Sequence, residues 1–412
     1  MSYIIINDLR ALPVAAAISI RSKLQRKNTT IMISREIMRN HDYGQLDSER
    51  LANIKAHLLK IFFGAIIVES DSEIEDASDT TGLMSSLYSI TNDSLASKEK
   101  YPDLWRELLA LNRGACSIVK ELIKCKAQEV YVFNGRLAYC YAITKYAANS
   151  NLKCFFYEYG RQVKINRWKP KYTLTSFPIH RLERWGQELL NFYKFHKFLP
   201  AQIEILGDDF KRSKLTNKFT EFYEDGVSSK YDVVVFLSST HEFLSLSEEI
   251  CGNALTNGEL EFLKKVIAAN GENLKYAVRC HPNQTNDPSW QDSLKLLKNY
   301  CSFHRIDFFP PTSKISSYQL IENSKKVAVD ISSIGIDAII MKKSLEIFGN
   351  PDYRKIFDAA KEQFPNDSFA LSKYVCEAMA LQVYLFQYKL SSIGLLWYLL
   401  DRVLFSRILR MK

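Results

Sequence analysis

Short apolar runs rich in valine and isoleucine recur through the second half of this chain, each followed by a polar loop and a stretch of helical periodicity. Few folds accept that alternation. "DVVVFL" (232–237), "KYAVRC" (275–280), "KVAVD" (326–330) and "SLEIFG" (344–349) read as buried strands. Between and around them "GELEFLKKVIAANG" (258–271), "WQDSLKLLKNYC" (290–301), "ISSYQLIENS" (315–324) and "IGIDAIIMK" (334–342) read as helices, and "FHRIDFF" holds a further strand. Strands separated by helices pair in parallel through crossovers, so the pattern predicts an open α/β sheet with all its strand C-termini on one edge.

A second, earlier unit follows the same logic. "YPDLWRELLALNRGACSIVKELIKCK" (101–126) is helical, "EVYVF" (129–133) a strand, "NGR" a turn, "LAYCYAITKYAANS" (137–150) a helix and "KCFFYE" (153–158) the next strand. At 412 residues the chain exceeds one ordinary core, and two domains of roughly 150–230 residues are expected. Residues 161–230 are polar, aromatic and poorly periodic apart from the helix "HRLERWGQELLNFYKFHKFL" (180–199). With the boundary at "EDGVSSK" (224–230), the expected division is 1–226, 227–365 and a C-terminal helical segment 366–412.

Lys and Arg outnumber Asp and Glu by 55 to 46, a net charge of +9. That suits a surface attracted to anionic lipid, nucleotide or polysaccharide. No basic cluster with interleaved aromatics marks a nucleic-acid patch, so no nucleic-acid partner is expected. The eight cysteines form no CxxC pair, which fits buried thiols in a reducing compartment. The start "MSYIIINDLRALPVAAAISIRSK" has no basic segment before its apolar stretch and is interrupted by Asp8 and Arg10, so neither a signal peptide nor a spanning helix is expected. The segment 381–412 is apolar but carries Lys389, Asp401, Arg402, Arg407, Arg410 and Lys412. It is expected as an amphipathic helix lying on an anionic membrane, with a helix packed across the domains as the alternative.

In open α/β sheets ligands bind beyond the strand C-termini. Polar clusters fall there repeatedly: Asn134, Gly135 and Arg136 after "EVYVF", Glu158, Tyr159 and Gly160 at the end of "KCFFYEYG", His281 and Pro282 after "KYAVRC", and Ser332 and Ser333 after "KVAVD". Ser332 and Ser333 lead into a helix and offer hydroxyls and amides to a phosphate, or merely an N-cap. His281, held extended by Pro282, can donate an imidazole N–H to a phosphate oxygen, with Arg279 on the same face by strand alternation. Glu158, at a strand mouth, is the candidate for proton transfer, the alternative being a salt bridge to Arg161 or Arg136. In the loop "SSTHEF" His241 and Glu242 are candidate partners for it across the cleft, the alternative being that Ser238 to Thr240 are another helix cap, while Asp232 begins its strand and belongs to the far end of the sheet unless the chain bends. No DxD or His/Cys ligand set stands out, so no metal is expected.

Taken together, "VFNGR…FFYEYG…FLSSTHEF…RCHPN…VDISSIGIDAIIMKKSLEIFGNPDY", over about residues 130–353, resembles the GT-B glycosyltransferases that use CMP-sugars, and is similar in order to the retaining β-Kdo transferases of capsule and lipopolysaccharide assembly. The resemblance implies two facing Rossmann-like domains, the first binding acceptor and the second nucleotide. It also implies that His281 and the Ser332/Ser333 loop hold the CMP phosphate, with Arg279 and Pro282 beside them, and that Asn134, Arg136 and Gly160 meet substrate. Glu158 would be the acid/base residue. Relatives often carry Asp where this chain has His241, so Glu242 or Asp232 would have to supply the nucleophile. The implied activity is transfer of Kdo from CMP-Kdo to a growing O-antigen or capsule, lipid-linked, on the cytoplasmic face of the inner membrane, with no cofactor. A UDP-hexose or sialic acid transferase, a CDP-glycerol glycerophosphotransferase and a non-catalytic membrane-associated scaffold are the alternatives.

Overall fold

The central strands are buried because apolar side chains cover both of their faces. In the computed structural model, which describes residues 2–5, 18–19, 28–36, 56–57, 59–61, 64–69, 79–159, 172–178, 180–196, 198–220, 230–239, 243–245 and 258–382, Val130 and Val132 of one strand and Phe156 and Tyr157 of its neighbour lie in the first core. Tyr131 and Phe155 sit directly opposite each other in the register and stack at 5.1 Å. Such a cross-strand pair contributes about 0.2–1 kcal/mol. Tyr157 donates its hydroxyl to the Ile5 carbonyl at 2.6 Å, tying this pair to the first strand of the chain.

That first sheet contains β1 (Ser2–Ile5), β2 (Thr29–Ser34), β3 (Ile66–Val68), β4 (Glu129–Phe133), β5 (Lys153–Tyr159) and β6 (Tyr172–Thr175), in the order β3-β2-β1-β4-β5-β6. The strands run parallel except β6, which pairs antiparallel with β5. Its described helices are α1 (Thr81–Thr91), α2 (Pro102–Lys124) and α3 (Tyr141–Ala148). Proline in the first turn of α2 loses no intrahelical bond. Leu108, Leu111, Ala115, Ile118 and Leu122 recur along one face of α2 and are buried, each large side chain contributing roughly 1.5–3 kcal/mol.

The second sheet contains β7 (Tyr231–Phe236), β8 (Tyr276–Arg279), β9 (Asp307–Phe309), β10 (Ser324–Val329) and β11 (Ser344–Ile347), all parallel, in the order β11-β10-β7-β8-β9. The helices α6 (Glu259–Asn270), α7 (Trp290–Phe303), α8 (Ser317–Glu322) and α9 (Ile334–Ile340) lie between its strands. Apart from β6, both sheets therefore have the doubly wound order 3-2-1-4-5, and each reverses direction beside its own first strand, where a ligand crevice opens. This is the two-domain Rossmann-like architecture expected for GT-B.

The division of the chain differs from the expected boundary at 226. The helices α4 (Leu182–Phe195) and α5 (Pro200–Thr220) precede β7 in sequence, yet Leu189, Leu190, Ile203, Leu206 and Phe210 lie in the second core. They pack there against α10 (Arg354–Gln363) and α11 (Ser368–Ala380). A Cβ on Gly186 would strike the Asp352 carbonyl, so only glycine lets α4 lie this close to the second unit. The first unit accordingly ends near residue 175. The expected single helix 180–199 stops at His196, and Pro200 starts a separate one.

The C-terminal division also shifts. Val375, Cys376 and Met379 of α11 are buried in the second core, so residues 366–382 are part of that unit rather than of a membrane tail. Residues 383–412, with the expected amphipathic segment, lie outside the described residues. Among the described residues no helix is long and apolar enough to cross a membrane. Seven of the cysteines are described, and all are free thiols.

Candidate active site

The crevice of the second sheet is set by three adjacent strands. Phe236 of β7 pairs with Arg279 of β8 on one side and with Val329 of β10 on the other, so the loops beginning at Leu237, Cys280 and Asp330 leave side by side. At about 4.8 Å between strands, the loops after β8 and β10 start roughly 10 Å apart. Two sequence-expected clusters, His281 with Pro282 and Ser332 with Ser333, are thus brought to one edge.

His281 caps the 3-10 helix Pro282–Asn286, with exposed Pro282 as its first residue. Its Nδ1 accepts from the Asn283 amide at 3.2 Å and lies 2.9 Å from Ser239 Oγ. An amide can only donate, so Nδ1 is the acceptor and Nε2 carries the proton of the neutral ring. Ser239 is buried, and the neighbouring Ser238 Oγ is buried with no hydrogen-bond partner among the described residues.

The loop after β10 is held from behind. Tyr353, fully buried, donates its hydroxyl to the Ser332 carbonyl at 2.8 Å. A Cβ on Gly335 would collide with that hydroxyl, and one on Gly349 with the Asp330 carboxylate, so two glycines allow the loop to close onto the "GNPDY" segment. Ser333, exposed, heads the helix α9 (Ile334–Ile340) without a side-chain cap bond. The helix start is instead met from Ser332, whose Oγ accepts from the Ile334 amide at 3.5 Å. Burial raises the Asp337 carboxyl of α9 to about 6, against the lowering effect of Lys214 and of its own backbone amide.

On the first unit the loop after β4 turns through left-handed backbone at Asn134 (φ 60°) and Gly135 (φ 88°). Asn134 is buried, and its Nδ2 lies 3.2 Å from His180 Nε2. Arg136 donates from Nε to the same nitrogen at 3.3 Å, from Nη1 to Ser85 Oγ at 2.9 Å and to the Ser245 carbonyl at 3.1 Å, and from Nη2 to Ser89 Oγ at 3.4 Å. Ser85 Oγ also donates to the Ser245 carbonyl. Ser245 follows β7, so these bonds join the C-terminal edges of the two sheets. Expected to meet substrate, Arg136 instead spends donors from all three nitrogens on protein. Glu158 is the penultimate residue of β5 and its backbone pairs with Thr173. β5 is the neighbour of β4, so Glu158 stands at the edge that Arg136 links to the second unit.

A second bridge lies to one side. Asp93, buried after α1, accepts from Lys100 Nζ at 2.6 Å, Tyr101 OH at 2.8 Å, Ser289 Oγ at 2.9 Å and the Leu95 amide at 3.0 Å. Burial alone would raise its pKa, but the bonds from Lys100, Leu95, Tyr101 and Ser289 outweigh it and hold the carboxyl at about 2. Ser94 completes the bridge by donating its amide to Asp287 Oδ1 at 3.3 Å.

Two expected site residues are elsewhere. Asp232 is the second residue of β7, four residues from the strand's C-terminus, where it pairs with Lys325 at 2.8 Å and accepts from the Lys275 amide at 2.9 Å. The Lys325 hydrogen bond foremost, then the bond from the Lys275 backbone, holds its carboxyl below the usual range. The strand does not bend toward the cleft, so Asp232 is corrected from nucleophile to structural ion pair. Buried Arg279 turns its guanidinium to the carbonyls of Pro310 at 2.6 Å and Ser313 at 3.1 Å, which makes it an anchor of the loop after β9. Gly160, His241 and Glu242 lie outside the described residues, as does the Glu158 side chain. No group of three potential metal ligands occurs among the described residues. Ser85 and Ser245 lay in segments without a readable signal, whereas His180 opens the expected helix 180–199, Ser239 lies in the loop "SSTHEF" and Tyr353 in "GNPDY", stretches the sequence marked without assigning these residues a contact.

The loops after β7, β8 and β10 all fall inside one family match. Residues 187–363 match the family described as Capsule polysaccharide biosynthesis protein. The matched segment starts in α4, and its description agrees with the expected resemblance at the level of capsule polysaccharide biosynthesis. No curated protein matches the chain. Among solved structures, KpsC of Thermosulfurimonas dismutans is similar twice. Its β-Kdo 2,4 transferase aligns over 61% of this chain and 79% of its own, with 14% identity and a TM-score of 0.41. Its β-Kdo 2,7 transferase aligns over 64% and 80%, with 16% identity and a TM-score of 0.35. A UDP-GlcNAc 2-epimerase from Neisseria meningitidis bound to UDP-GlcNAc aligns over 97% and 99%, with 14% identity and a TM-score of 0.25.

Proposed function

We propose that this chain is a retaining glycosyltransferase that moves Kdo from CMP-Kdo to a growing, lipid-linked bacterial surface polysaccharide, capsule or O-antigen. The observation that carries the reading is the convergence of His281, Ser239 and the Ser332/Ser333 loop at the switch point of the second sheet, inside the capsule-family segment. The bond from the anomeric carbon to the phosphate oxygen breaks and its electron pair leaves with CMP. The departing charge meets the Nε2–H of His281 and the hydroxyls of Ser332 and Ser333. In the first displacement a carboxylate from the loop after β7, Glu242, takes the anomeric carbon, with His241 beside it. In the second an acceptor hydroxyl attacks that carbon and gives its proton to Glu158, while the bond from the carbon to Glu242 breaks and returns its electron pair to the carboxylate. These neutral donors stabilise the phosphate's developing charge through hydrogen bonds, and the proposal includes no cofactor. The basic residues Arg402, Arg407, Arg410 and Lys412 would hold the protein on the anionic cytoplasmic face of the inner membrane, where a lipid-linked acceptor is presented.

The test is CMP release from CMP-Kdo in the presence of capsule or O-antigen acceptors, with thermal-shift ranking of CMP, UDP and CDP-glycerol alongside. Glu158→Gln is expected to abolish transfer while CMP still binds. A protein stabilised by UDP or CDP-glycerol and indifferent to CMP would sink the donor assignment, and unchanged transfer in Glu158→Gln would sink the role of that residue.

A further inference from the structure

We propose that Ser239 is a positioning residue for His281, fixing the ring so that Nε2–H is presented to the donor's phosphate; this deepens the reading above and rests on it. The two side chains come from neighbouring strands. Ser239 lies three residues beyond Phe236 of β7, and His281 two beyond Arg279 of β8, the residue paired with Phe236. Ser239 is 1% exposed, so its hydroxyl has little water to turn to, and it meets Nδ1 at 2.9 Å. The Asn283 amide occupies the same nitrogen at 3.2 Å. The amide decides which nitrogen is the acceptor, because a proton on Nδ1 would meet the amide proton head-on. It does so from the ring's own 3-10 turn, and moves with it. The serine is the bond that reaches across from β7, and so it sets where the ring stands relative to the loops of the crevice.

Removing the hydroxyl should leave the fold intact and the ring less well aimed. Calorimetry with CMP as the probe, on the full chain, is expected to show about a tenfold weaker affinity in Ser239→Ala and in Ser239→Gly, the scale of one hydrogen bond to a charged group. The same Ser239→Ala change in a His281→Ala background should alter CMP affinity by less than about twofold, because the partner it acts through is gone. Histidine 15N spectra of the ligand-free wild type should show Nδ1 unprotonated and Nε2 protonated. An equal loss in both backgrounds, or a proton on Nδ1, would overturn the proposal. Should the wild type fail to bind CMP, the donor assignment falls by itself, and a His281 ring signal unchanged in Ser239→Ala would then overturn the positioning role.

Discussion

Arg136 Nη1 donates to the Ser245 carbonyl at 3.1 Å, across the gap between the two sheets. The residue after the β4 turn thereby holds the chain that follows β7, and the same guanidinium reaches Ser85, Ser89 and His180. A planar fork with five donors can do this, whereas an ammonium cannot reach all four at once. Arg136→Lys should therefore lower kcat/KM for transfer about tenfold or more, one lost charged hydrogen bond or two, while CMP affinity stays near wild type. Steady-state kinetics beside calorimetry check it.

Asp93 makes the second bridge acid-sensitive. Its folded pKa of about 2 lies below the ordinary value of about 3.9. The stabilisation it contributes is present above pH 4 and is lost as pH falls through 2. Asp93→Asn should cost about 1–3 kcal/mol at neutral pH, the value of hydrogen bonds to a charged group. It should also flatten the stability profile between pH 4 and 2, read by urea unfolding at a series of pH values.

Asp337 behaves oppositely. Its folded pKa is raised to about 6 by burial, and Oδ1 has no hydrogen-bond partner among the described residues. Its favourable contribution is complete below the unfolded pKa of about 4, and is lost as pH rises through 6. At pH 7.5, Asp337→Asn should stabilise the protein by about 1–2 kcal/mol, which raises Tm by roughly 2–8 °C. At pH 4 the gain should vanish. Thermal scans at both pH values decide it.

Gly335 and Tyr353 are coupled by contact. Gly335→Ala drives a methyl into the Tyr353 hydroxyl, and overpacking of this kind costs about 1–3 kcal/mol. Tyr353→Phe opens space but removes the shorter of the two bonds on the Ser332 carbonyl, leaving the Gly335 amide at 3.3 Å. The double variant should be more stable than the sum of the two losses predicts, with CMP affinity still reduced because the Ser332 loop is no longer held. A double-mutant cycle on Tm and on CMP affinity measures both.

The β-strands of the second unit were legible because valine-rich runs with polar exits admit little else, and so were the crevice loops that they imply. The strands β1 to β3 were not, since "SYII", "TTIMIS" and "IIV" are too short to show periodicity and complete the sheet through contacts distant in sequence. The misplaced boundary has the same origin. Polarity marked 224–230 as a linker, whereas the side chains of Leu189, Leu190 and Phe210 commit α4 and α5 to the second core. Asp232 was readable as a far-end residue from its position alone, and the resemblance, which asks only for a carboxylate near that loop, argued the other way. The Ser239–His281 and Arg136–Ser245 pairings join residues 42 and 109 apart, and no local pattern encodes them.

With α4 and α5 committed to the second unit, the chain passes from one half to the other between β6 and α4. His180 stands in that strap, and Asn134 and Arg136 grip it from the turn after β4. A swing of either half would tug on that turn directly, so any rocking of the halves would be geared to the rim of the cleft instead of pivoting on a slack tether.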